Sequence, residues 1–96
     1  MLTALFGLGV AVITVAVITF SMIVDWFVSR VSKIKDQPSR LAFTIKEELA
    51  NGRCAIVQGI FEADSGTVLE ARRVEGDRVD ARVVAAHAGQ TVTIWS

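Results

Sequence analysis

The first 24 residues limit this chain most, because they contain no Asp, Glu, Lys, Arg or His. All twenty Asp, Glu, Lys and Arg side chains fall in the remaining 72 residues. An uncharged apolar run of about 18 residues or more reads as a membrane span. As a helix, Met1 to Val24 would reach roughly 36 Å. Thr3, Thr14, Thr19 and Ser21 fit a bilayer, since a hydroxyl can bond back to the preceding helical turn. A signal peptide would carry a basic leader and a shorter apolar core, whereas "MLTALF" has no basic residue. A core helix buried on all sides would need more surrounding chain than follows here, unless many copies assembled. The expectation is therefore a single-pass transmembrane helix.

The flank of the run sets an expected orientation. Trp26 stands where the apolar stretch ends, and Arg30, Lys33, Lys35 and Arg40 follow against one acid, Asp36. The positive-inside rule puts the C-terminal part in the cytoplasm and the N-terminus outside a cell membrane. Trp26 and the four cations are the expected membrane interface, each cation contributing about 1 kcal/mol near anionic headgroups. Phe27, Val31 and Ile34 recur at helical spacing, so the helix should run on to about Lys35. "KDQPS" then interrupts it, because Pro38 biases Gln37 away from helix. Within the span, Gly7 and Ala11 lie four apart on one face and are the expected helix-packing pair, with Gly9 pointing elsewhere.

These readings divide the chain into three. Residues 1–35 form the transmembrane helix with its amphipathic basic extension, 36–40 a linker, and 41–96 a small cytoplasmic α+β domain. Leu41, Ile45 and Leu49 make one apolar stripe at helical period, with Ser39 as its cap and Gly52 as its stop. "RCAIVQGIF" (53–61) and "TVLEARRVE" (67–75) read as two strands of an antiparallel hairpin around Asp64, Ser65 and Gly66. Asp77 or Asp80 can cap a short helix to about Ala88, stopped by Gly89, and "QTVTIWS" closes as a strand. The expected fold is a single-pass helix followed by an α-β-β-α-β domain with a three-stranded sheet. So small a domain buries little of its surface, and its two sheet edges invite partners.

The chain offers little chemistry. Cys54 is the only cysteine and His87 the only histidine. Cys54, inside an apolar strand, reads as a buried core thiol, and a Cys54–His87 nucleophile pair has no motif behind it. His87 near a helix C-terminus suits the helix dipole. The sequence has no metal-ligand spacing and no phosphate loop, so no cofactor is expected. Arg72 and Arg73 are adjacent in a strand and must face opposite sides, one of them to pair with Glu62 or Glu75. From Leu41 onward six Lys and Arg face eight Asp and Glu, so there is no basic stripe for nucleic acid.

The function expected from these features is a non-catalytic, membrane-anchored accessory subunit or self-associating scaffold. Its partners would be the lipid bilayer and other membrane subunits or copies of itself. A second reading is an adaptor whose β edge captures a soluble protein. A third is a small enzyme using Cys54 and His87.

Overall fold

Val12, Ile13, Val15, Val17 and Ile18 crowd one short stretch of the apolar run. Branching at Cβ stiffens χ1 in a helix and suits a pleated surface. In the computed structural model, which describes residues 10–95, Ala11–Ile18 is accordingly strand β1. Thr19 follows in extended backbone, and its hydroxyl accepts the Met22 N–H at 3.2 Å. That cap starts the nine-residue helix α1, Phe20–Val28. A four-residue helix α2, Val31–Ile34, comes next. At 1.5 Å per residue α1 spans roughly 14 Å, about half the hydrocarbon thickness of a bilayer. Among the described residues no helix is long and apolar enough to cross a membrane. The expected transmembrane helix is thus corrected, and so is the single-pass cell-membrane placement built on it. Gly7 and Gly9 lie outside the described residues.

A second correction concerns Arg40–Glu48, expected as helix and found as strand β2. Its Leu41, Phe43 and Ile45 alternate with Ala42, Thr44 and Lys46, and four consecutive residues, Ala42 to Ile45, are buried. A strand buried on both faces loses the polar alternation that would reveal it. A short 3₁₀ turn, Ala50–Gly52, leads into β3, Cys54–Glu62. Strand β4, Thr67–Val79, returns antiparallel to β3 as the expected hairpin. Helix α3, Ala81–His87, and strand β5, Val92–Trp95, are the last of the described elements.

The expected three-stranded sheet is therefore a five-stranded mixed one, in the order β1-β4-β3-β2-β5. β1 runs parallel to β4, with Ile13 beside Val74 and Val15 beside Gly76. Every other neighbour is antiparallel. On one face Ile23, Trp26 and Phe27 of α1 and Val83 of α3 pack with Ile18, Ile56, Ile60 and Val74. On the other, Phe43, Ile45 and Val57 form a smaller cluster joined by Val10, Phe61, Val68 and Ala71.

One carboxylate serves both helices on the first face. Asp80 Oδ2 accepts the Phe20 N–H at 3.1 Å, at the start of α1, and Oδ1 accepts the Arg82 N–H at 3.0 Å, at the start of α3. The Asp80 N–H donates in turn to Ile18 O at 2.9 Å. This works because parallel strands end at the same side of a sheet, so β1 and β4 deliver both helix starts to one place. The Arg82 N–H, then the Phe20 N–H and the Arg82 guanidinium, hold the Asp80 carboxyl down to about 2 from the ordinary 3.8.

Two outcomes follow from this geometry. A Cβ at Gly59 would lie 2.7 Å from Glu70 O and 2.8 Å from Cζ of Phe43, whose ring covers the glycine from the neighbouring strand. Gly59→Ala should therefore destabilise the fold by about 1–3 kcal/mol, read by urea unfolding. Asp80 stabilises the folded state above its unfolded pKa, and that contribution is lost as pH falls through about 2. Asp80→Asn should melt below the parent at neutral pH, and the gap should close on acidification. A gap independent of pH would contradict the shared cap.

Candidate functional site

The residues expected at a bilayer surface have other partners. Trp26 is only 8% exposed. Arg30 Cζ sits 4.1 Å from the centre of its ring and Arg72 Cζ 5.6 Å. Arg30 Nε donates to one oxygen of Glu70 at 2.7 Å, and Lys33 Nζ to the other at 2.5 Å. Arg40 Nε meets Glu62 at 2.9 Å. Of the four cations, only Lys35 makes no ion pair among the described residues. Lys33 first, then Arg30, holds the Glu70 carboxyl below its usual range against the opposing effect of burial. Ser39 and then Arg40 do the same for Glu62. The charges thus fasten the α1–α2 segment and the start of β2 to the β3–β4 hairpin.

Adjacent arginines diverge as strand geometry requires. Arg73 pairs with Glu47 at 3.0 Å and Glu75 at 3.2 Å. Arg72 turns toward α1, where its guanidinium donates to Met22 O at 3.0 Å and to Gln58 Oε1. Gln58, fully buried, donates from Nε2 to Ile23 O at 3.1 Å. Burial, and secondarily the nearby Arg30, pushes the Arg72 pKa down. Two polar side chains thereby tie helix carbonyls to the middle of the sheet.

A second buried seam joins β2, α3 and β5. Trp95 Nε1–H donates to Thr44 Oγ1 at 2.8 Å, Thr44 Oγ1 lies 2.8 Å from His87 Nε2, and His87 Nδ1 lies 3.0 Å from Gln90 O. The indole can only donate and the carbonyl can only accept. The pattern that satisfies every atom puts the imidazole proton on Nδ1 and has the Thr44 hydroxyl donate to Nε2. Thr44 is 0% and His87 2% exposed, so the pair clips β5 in place rather than forming a nucleophile and its base. Both ring nitrogens are engaged, and none is left for Cys54. Cys54 opens β3, half-buried, with Sγ 4.0 Å from Gly52 O; the expected core thiol is only partly covered. Among the described residues no group of three or more His, Cys, Asp or Glu could hold a metal ion.

The unusual surface is an edge. β1 ends the sheet, and among the described residues no strand lies on its outer side. All eight of its residues are uncharged, and Ala11 to Thr14 are exposed in sequence. Val12 is 55% and Ile13 36% exposed, and these two point to opposite faces. Ala11, expected in helix packing, stands on this strand beside Arg72. Sheet edges are ordinarily blunted by charge, proline, a bulge or shortness. β1 has no charge and no proline, and its register with β4 is unbroken. The opposite edge, β5, is blunted by its length of four residues. A run of β-branched residues without Gly or Pro between Val10 and Thr19 was the sequence signal for this strand, and the length of the apolar run hid it.

Comparison with protein-family models, with curated proteins and with solved structures finds no match for this chain.

The buried seam makes a direct prediction. Thr44→Val would strand the Trp95 N–H and the His87 Nε2 lone pair, at a cost of about 1–3 kcal/mol. Unfolding monitored by tryptophan fluorescence should show the loss, together with faster amide exchange in Val92–Trp95. Unchanged stability and exchange would mean that β5 is held by its ladder alone.

Proposed function

We propose that this protein is a non-catalytic association module that takes up a β-strand along the outer edge of β1. One observation carries the reading: an eight-residue edge strand without charge, apolar and exposed on both faces. An added strand would occupy its outward N–H and C=O groups and cover its side chains, at about 25 cal/mol per Å² of apolar surface removed from water. Strand addition of this kind draws affinity from the main chain and selectivity from alternate side chains. The side chains an enzyme would need argue for the same class, since His87 and Thr44 are buried in mutual hydrogen bonds. The ion pairs of Arg30, Lys33, Arg40 and Arg73 are internal as well, which leaves β1 as the distinctive surface.

The test uses a peptide of residues 10–18 carrying a lysine tail for solubility, titrated onto dilute protein. Amide shifts should move in Ala11–Ile18 and in the neighbouring β4, and they should saturate. No binding, or shifts confined to β5 or the helices, would contradict the reading.

A further inference from the structure

We propose that the strand received by β1 is β1 of a second copy, paired antiparallel across a two-fold axis at Thr14; this rests on the reading of β1 as an association edge. A two-fold contact must be self-complementary, and β1 is. With Thr14 on the axis, Ile13 faces Val15 of the second copy, Val12 faces Ala16 and Ala11 faces Val17. Residues of equal parity meet, so each copy's helix-bearing face continues the same face of the other and one sheet runs through both. The pairs on both sides of the axis join aliphatic side chains, mostly β-branched. The central pair is Thr with Thr, a favourable cross-strand match. With this axis Ile18, fully buried in its own core, stands only at the end of the contact, opposite Val10, and moving the axis toward it would bring it to the centre.

Charge permits the same arrangement. The chain carries ten basic and ten acidic side chains, so two copies meet without net repulsion. Glu75, the residue beside Thr14 in the sheet, is neutralised within its own copy by Arg73 at 3.2 Å and Arg53 at 3.8 Å. Arg72 has no carboxylate partner among the described residues and stands beside Ala11. The two-fold sends the two Arg72 residues to opposite ends of the contact, roughly 20 Å apart along the strands. That exceeds the screening length of about 8 Å at physiological salt. A foreign strand could also fit the edge, but no pattern of charges along β1 selects one, whereas its own exposed residues, Ala11 to Thr14 and Ala16, all meet uncharged partners about Thr14.

Native mass spectrometry and light scattering should find a dimer of the intact chain. Thr14→Lys and Thr14→Glu each place like charges on the axis, and each should weaken the dimer by on the order of tenfold or more. Their circular dichroism should be unchanged, because Thr14 is exposed. Mixing the two variants should restore a one-to-one heterodimer. In a Cys54→Ser background, Thr14→Cys should cross-link two copies on mild oxidation. Ala16→Cys should not, because its counterpart lies four residues farther along the antiparallel partner. A dimer that survives both charged variants, a mixture that fails to re-pair, or cross-linking at position 16 instead of 14 would overturn the two-fold. So would a ladder of larger oligomers, the signature of β1 adding to β5. A strict monomer that still binds the residue 10–18 peptide at β1 would overturn the second copy and leave strand addition standing. A monomer that does not bind it would sink both.

Discussion

The parallel pairing of β1 with β4 is the contact on which the rest of this architecture depends. It gives the apolar segment a sheet to join, and it brings the ends of two strands side by side. From that shared end the chain turns twice into helix, and Asp80 accepts an N–H from the start of each. Both helices are thereby directed onto one face, where Ile23, Trp26, Phe27 and Val83 close over Ile56, Ile60 and Val74. Gly76 permits the close approach: a Cβ there would lie 2.9 Å from Ile18 Cγ1.

Polar side chains then fix how the helical layer lies on the sheet. Gln58 and Arg72 hold carbonyls of α1, while Thr44 and His87 hold the turn after α3 and the indole of Trp95. Among the described residues every fully buried side-chain nitrogen and oxygen has a partner. An apolar interface alone would resist separation but tolerate sliding. Directed hydrogen bonds at two separate places do not tolerate it, because each displaced group would be left unpaired in a dry interior. These bonds fix the helical layer against the sheet that β1 ends among the described residues.

The second half of the chain was largely legible in its sequence, and the first half was not. The hairpin announced itself through Asp64, Ser65 and Gly66 between two β-rich runs, and α3 through Asp80 before it and Gly89 after it. The error in β2 has a local cause. Leu41, Ile45 and Leu49 satisfy a helical stripe, and burial of both faces removed the alternation that would have argued for a strand. The error at the N-terminus has a different one. Freedom from charge over 24 residues is a property of membrane spans, but residues 11–24 show it equally as a strand followed by the first turn of a helix, whose one charge, Asp25, comes just after. Thr19, which caps α1, looked there like one tolerated hydroxyl among four. The basic residues after Trp26 misled for a related reason: their carboxylate partners, Glu62 and Glu70, lie 22 to 40 residues away in sequence. The edge was out of reach for the same cause, since a strand not recognised cannot be seen to end a sheet.

The central claim is that residues 11–18 are a strand beside β4, and proton–proton contacts in solution test it most directly. Nuclear Overhauser spectra of the isotopically labelled protein should show cross-strand contacts of Ile13 with Val74 and of Val15 with Gly76, and strong sequential Hα–HN contacts through Ala11–Ile18. An unbroken series of contacts between residues three apart from Ala11 through Val24, without any to β4, would establish one continuous helix and contradict the account.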